Sequence, residues 1–360
     1  MGLLVKKPGL FTTVQDLGRP GWRKDGIPEG GAMDRYALRT ANLLVGNEEG
    51  AAGLELTLVG PELRAERDLL LAVCGAYMSP LIDGEELPMW RPVWVAAGAQ
   101  LSFGAALSGC RAYIAVAGGI AALPALGSRS TDTRARIGGV GGRALQAGDA
   151  LPCGGASAPA AAAPAPSGAA AAWPPWAAAW RAQLAARAAA QPGGRRSFAA
   201  PGWFAPPLAY GSGASSGIRL RVMPGAEYGQ FREAARTALM QERYRVAPAS
   251  DRMGVRLDGP LLPISDSTEL LSHGVIPGTI QVPAGGTPII LAADCQTTGG
   301  YPKLAHVISA DLPLLAQVKP GDTVRFTLVT HAEAQRLYIA LEQQMRMQAA
   351  AISIRKPIEL

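Results

Sequence analysis

An apolar run, PIILAA, ends on DCQTTGGYPK, residues 294–303. This short stretch holds an acid, an amide, two hydroxyls, a Gly-Gly corner, a tyrosine and a lysine. Gly299 and Gly300 carry no Cβ, so a ligand can approach the backbone closely. Gln296 and Thr297 can bind an amide or a carboxylate, and Tyr301 belongs with the same expected substrate contacts. Lys303 brings a mobile positive charge of the kind that stabilises an oxyanion. Asp294 is placed to orient that lysine or to act as a base.

Three other stretches concentrate polar residues where strands or helices should begin or end. TTVQDLGRPGWRKDGIPEGGAMD, residues 12–34, sets Gln15, Asp16 and Arg19 around a turn. GSRSTDTRARIGG, residues 127–139, brings Arg129, Ser130 and Thr131. SDRMGVRLDGP, residues 250–260, adds Arg252 and Arg256. Taken singly, each reads as a capped turn with a local ion pair. Taken together, four arginines suit a two-pronged grip on carboxylates or phosphates.

Several other matches fail on context. GASSG, residues 213–217, fits G-x-S-x-G but lies at the end of a linker, without the strand and helix of a nucleophile elbow. GVGGRA, residues 139–144, leads into a strand-turn pattern and not into the helix of a dinucleotide site. No Gly-Lys pair occurs, so there is no P-loop. His273, His306 and His331 lack metal-ligand spacing and read as structural; no metal site is expected.

The elements that must position these groups are mainly strands. The 360 residues suffice for two or more domains, and 44 glycines with 29 prolines break the apolar runs into short pieces. A formal charge of +6 is spread along the chain without a basic block, which argues against nucleic acid as partner. The four cysteines form no C-x-x-C pair and read as buried thiols. No signal peptide and no membrane span is read, which points to the cytoplasm.

The chain reads as written twice. GCRAYIAVAGGIAALPALGSRST closes on GRALQAGDAL; GTPIILAADCQTTGGYPKLAHVISAD closes on LLAQVKPGDTVRF. Each half has one early helix. MDRYALRTANLLVG stops at Gly46 and sets Met33, Ala37, Ala41 and Leu44 on one face. EYGQFREAARTALMQERY sets Tyr228, Phe231, Ala235 and Leu239 on one face. A further helix starts at Thr330, capped with Glu333, and runs towards Met347. The expected domains are two β-barrels related by duplication, 1–153 and 218–360, with a ligand site between them. An Ala/Pro/Gly-rich insertion, 154–217, separates them and holds a short helix at 176–190.

TTVQDLGRPG, GAMDRYALRTANLLVGN, LGSRSTD, SDRMGVRLDGP and DCQTTGGYPK together resemble the biotin-dependent carboxyltransferase family of the allophanate hydrolase subunit 2 type. The resemblance spans both halves in order. It implies cyclophilin-like β-barrels. It also implies partner subunits, A and B of an ATP-dependent 5-oxoprolinase that opens 5-oxo-L-proline to L-glutamate. ATP with Mg2+ would be used with a partner subunit. Biotin is not attached to this chain, because QQMRMQ offers Arg346 where a carrier presents lysine. The family also includes carboxyl transfer from biotin to urea, and antagonists of a kinase inhibitor.

Phosphorylating the carbonyl oxygen of a lactam lets water attack it, and such a site needs cations around the phosphoryl group and donors to the lactam carboxylate. On this reading Lys303 and Arg129 face the phosphoryl group or oxyanion. Arg252 and Arg256 face the substrate carboxylate or phosphate, and Gln296 and Thr297 the lactam. Asp294 and Asp16 position these or a metal-bound nucleotide.

Overall fold

The computed structural model describes residues 2–154, 175–190, 196–208, 217–264 and 270–354. Most of the Ala/Pro-rich stretch, with Trp173 and the two serines of GASSG, lies outside them. Chain contacts divide the protein into two units. The first comprises residues 1–18, 35–208 and 345–360; the second comprises 19–34 and 209–344. The units therefore differ from the boundaries read along the sequence. Residues 19–34 join the second unit through tertiary bonds: the Gly31 carbonyl accepts from Arg252 (2.7 Å), and Asp34 accepts from Gln317 (2.7 Å).

The first unit is built from β1 (Leu3–Lys7), β2 (Phe11–Gln15), α1 (Arg35–Leu44), β3 (Gly53–Thr57), β4 (Glu62–Ala65) and β5 (Leu69–Tyr77). There follow β6 (Leu81–Ile82), β7 (Glu85–Glu86), β8 (Val93–Val95), β9 (Gln100–Ser102), β10 (Ser108–Val116), β11 (Ala150–Leu151), α2 (Pro175–Ala189) and β12 (Phe198–Ala199). The strands form two six-stranded sheets, β11-β1-β4-β9-β6-β7 and β12-β8-β5-β10-β3-β2. Alternating apolar residues of both sheets, such as Leu3, Leu63, Leu101, Leu54, Val73 and Ile114, bury one core. Helix α1 buries Tyr36, Ala37, Leu38, Ala41 and Leu44. It ends at Gly46, whose φ of +77° is left-handed and whose N–H bonds the Leu43 carbonyl. Met33 lies before this helix, in the second unit, against Ala292 and Ala316.

The second unit has β13 (Ile218–Pro224), α3 (Glu233–Gln241), β14 (Tyr244–Val246), β15 (Gly254–Asp258), β16 (His273–Gly274), β17 (Thr279–Gln281) and β18 (Ile289–Leu291). It continues with β19 (Thr298–Gly299), β20 (Lys303–Val307), α4 (Leu312–Ala316), β21 (Thr323–Leu328) and α5 (His331–Ile354). Seven strands close a barrel in the order β13-β20-β17-β18-β15-β14-β21, which leaves no free edge among them. Leu220, Val222, Leu257, Ile280, Ile290, Leu304 and Phe326 fill it. Thr330 caps α5 by accepting from Glu333 N–H (3.2 Å). From Met345 onwards α5 belongs to the first unit: Met345 is fully buried at Thr40, and Gln348 Oε1 accepts from the Tyr36 hydroxyl. Met347 stays exposed, so of the two methionines flanking Arg346 only Met345 packs.

Strand register displays the duplication. In the first unit Leu3 faces Leu151 and Leu4 faces Ala150; in the second Tyr244 faces Val324 and Arg245 faces Thr323. The preceding turns match atom for atom. Gly148 and Gly321 have φ of +91° and +90°. Asp149 N–H bonds the Gln146 carbonyl and Asp322 N–H the Lys319 carbonyl, while each carboxylate takes the N–H back. Both turns are docked by a valine, Val5 or Val246. Glycine at the third position and proline before it, as in Lys319-Pro320-Gly321-Asp322, suit a type II turn. The same register equates β4 with β15 and β9 with β18. The Gly-rich corners after β10 and β18 therefore follow non-equivalent strands, contrary to their alignment by composition.

Candidate functional site

Lys303 opens β20, with Leu304, Ala305 and Val307 anchoring that strand in the barrel. Its side chain is 1% exposed, so it is a held cation and not the mobile charge expected from the sequence. Nζ donates to the Gly299 carbonyl (2.8 Å) and lies 3.3 Å from His273 Nδ1. The Lys303 N–H donates to Glu227 Oε2 (2.8 Å), and Glu227 Oε1 stands 3.7 Å from His273 Nε2. Burial pushes the Lys303 ammonium below the ordinary lysine range, against the pull of the Glu227 carboxylate. His306, farther along β20 and 3.1 Å from Thr279 Oγ1, is also pushed down, first by burial; Glu227 opposes this and Lys303 adds to it.

The Gly-Gly corner is packed closely by protein atoms. A Cβ at Gly299 would lie 2.6 Å from Gln281 Nε2, and one at Gly300 3.1 Å from the Leu270 carbonyl. The β16–β19 pair sets His273 opposite Gly299, which delivers the imidazole to Lys303. Gly225 packs under the lysine: a Cβ there would stand 2.1 Å from the Lys303 carbonyl oxygen. Gly225→Ala is therefore expected to displace the start of β20 and lower the melting temperature. A variant that melts with the wild type would contradict this packing.

Asp294 does not orient Lys303; its bidentate partner is Arg252, at 2.7 and 2.8 Å. Arg252 also donates to the Gly31 carbonyl. Its fork is thus filled by protein, which leaves the substrate-gripping role without a free edge. Arg19, fully buried, belongs to the same cluster: a Cβ at Gly30 would lie 3.4 Å from its Nη1 and 3.5 Å from Asp294 Oδ1. Cys295 is buried with Val275 and Leu291, while Gln296 and Tyr301 are exposed and Thr297 is half-buried. Arg256 points outward from β15, between the inward Val255 and Leu257, and does not join either cluster.

The first-unit residues form their own knot. Asp16 Oδ1 accepts from Gly18 N–H (2.8 Å), Ser128 Oγ (2.6 Å) and Ser130 Oγ (2.5 Å); Oδ2 accepts from Arg129 N–H (2.6 Å). Gln15 donates to the Thr131 carbonyl, and Thr131 bonds Val14 through N–H and hydroxyl. The Arg129 side chain is exposed and reaches the Ala122 carbonyl. GVGGRA forms tight turns, with Gly139, Gly141 and Gly142 all at positive φ, and no helix. Asp16→Asn removes a charge that gathers four donors, so the first unit should lose roughly 1–3 kcal/mol in denaturant unfolding; unchanged stability would show that the knot does not brace the loop.

The two carboxylates expected to position a metal-bound nucleotide both accept from protein donors. Among the described residues no group of three His, Cys, Asp or Glu could hold a metal ion. The described side chains of this chain therefore offer no site for Mg2+. Sequence reasoning missed Glu227 and His273. The histidine lacks metal-ligand spacing, and Glu227 sits in PGAEYG with nothing local to mark it. Only the barrel brings them to Lys303.

Comparison with known proteins agrees with the resemblance. Residues 25–328 match the family described as carboxyltransferase domain, subdomain A and B. The chain is 37% identical over 333 residues to the C subunit of 5-oxoprolinase from Escherichia coli K12, covering 92% of this chain and 93% of that protein. It is 36% identical to the same protein of Haemophilus influenzae, with 90% of each chain covered. Among solved structures it resembles K. lactis urea amidolyase, with a TM-score of 0.79 at 27% identity, over 96% of this chain and 20% of that one. The match over most of its length places the chain in the carboxyltransferase domain family.

Proposed function

We propose that the chain is a subunit of an ATP-dependent 5-oxoprolinase that opens 5-oxo-L-proline to L-glutamate together with subunits A and B. The observation that carries this reading is likeness from end to end: 37% identity reaching over 93% of the E. coli protein. The Lys303 corner is the place for the chemistry. Its ammonium stabilises the oxygen of the lactam carbonyl, or the phosphoryl group on it, and the exposed Gln296 and half-buried Thr297 bind the lactam amide. ATP is bound with a partner subunit, and the complex works in the cytoplasm. No helix of the described residues is long and apolar enough to cross a membrane.

The likeness to urea amidolyase favours a second reading, carboxyl transfer to urea from biotin carried by another protein. Co-purification with the partner subunits, then ADP release with 5-oxo-L-proline and with urea, separates the two. ADP release dependent on 5-oxo-L-proline supports the first; release that responds to urea alone overturns it.

A further inference from the structure

Opening a lactam breaks a C–N bond, and the departing nitrogen must gain a proton. Lys303 is the buried acid nearest the corner, but at 1% exposure it has no direct contact with water. Glu227 is buried as well, at 6%. His273 touches both and keeps 45% of its side chain exposed. Its protonation pattern follows from its neighbours. A lysine ammonium has no acceptor, so Nδ1 beside it is bare, and the proton sits on Nε2, towards Glu227.

We propose that His273 is the proton port of Lys303: a positioning residue that steadies the ammonium and reloads it from solvent after each turnover. The inference rests on the lactam-opening reading above. As the C–N bond breaks, one Nζ–H bond breaks and an N–H bond forms on the departing nitrogen, leaving Lys303 as a neutral amine. His273 then gains, at Nδ1, the proton that the attacking water released to solvent when its oxygen bonded the carbonyl carbon. The imidazolium, held by Glu227 at Nε2, passes its Nδ1 proton to Nζ and returns to the neutral ring. No oxidant or further co-reactant is needed. A lysine held below its ordinary range gives up its proton more readily. Among the described residues, the charged and titratable groups that act on it are Glu227 before α3, His273 on β16 and His306 on β20.

The test uses the complete complex. His273→Ala should lower kcat by about 10²-fold with KM little changed, and added imidazole should restore turnover as its concentration rises. A variant as active as wild type, or a loss that imidazole does not relieve, overturns the port. A second measurement needs no turnover: carbamoylation of Lys303 by cyanate, quantified by peptide mass. Glu227→Gln removes the carboxylate whose negative charge favours the ammonium, so labelling at neutral pH should rise; unchanged labelling overturns the triad. If labelling responds but 5-oxo-L-proline releases no ADP, the triad stands and the 5-oxoprolinase reading fails.

Discussion

Lys303→Met is expected to abolish substrate-dependent turnover of the assembled complex while the chain melts no lower than wild type. The two outcomes have separate causes. On the proposed reading turnover needs a cation at the Gly299–Gly300 corner, and electrostatic stabilisation of this kind is worth about 10²–10³-fold in rate. Stability carries the opposite sign. Burial sets the Lys303 pKa below its unfolded value, so its charged form is disfavoured in the native state. That penalty is complete below the folded pKa and disappears above the unfolded value, so stability rises with pH between the two. Methionine keeps the stem volume and removes the charge, and the rise should vanish in the variant. Thermal melts at neutral and alkaline pH, beside product assays, read both effects. A variant that melts lower while still turning over would mean that Lys303 braces β20 and does no chemistry.

Arg252→Ala should destabilise the second unit by about 3–5 kcal/mol, the usual result of leaving one partner of a buried pair alone. Arg252 and Asp294 have side chains 8% and 15% exposed, and the bidentate geometry leaves Asp294 without that partner when the guanidinium is cut away. The Gly31 carbonyl loses its donor in the same step. Denaturant unfolding measures the loss. The same substitution decides between brace and substrate clamp: a clamp would raise KM with stability unchanged, and that result would overturn the structural role.

What the sequence reveals depends on the distance over which a pattern acts. The QAGD and KPGD turns are legible because proline, glycine and aspartate fix a type II turn locally, and the two copies fold alike. The Thr330 cap and the Gly46 stop are local too. Polar stretches mark where functional groups collect but not how they pair. Asp294 chooses Arg252, 42 residues earlier, over Lys303, because β15 and β18 are neighbours in the barrel. Glu227 lies 76 residues before Lys303, and His273 lies 30 before it. Arg256 illustrates the limit of motif membership: inside the same motif as Arg252, strand alternation turns it outward. The exchange of residues 19–34 and 345–360 between units has no local signature at all, since it rests on bonds such as Gln317 to Asp34.

Amide hydrogen exchange of the complex, with and without 5-oxo-L-proline and a non-hydrolysable ATP analogue, tests most directly whether the Lys303 corner holds the substrate. Peptides covering 272–275 and 294–303 should exchange more slowly in the presence of substrate. Unchanged exchange in both, at substrate concentrations that saturate turnover, would contradict the account.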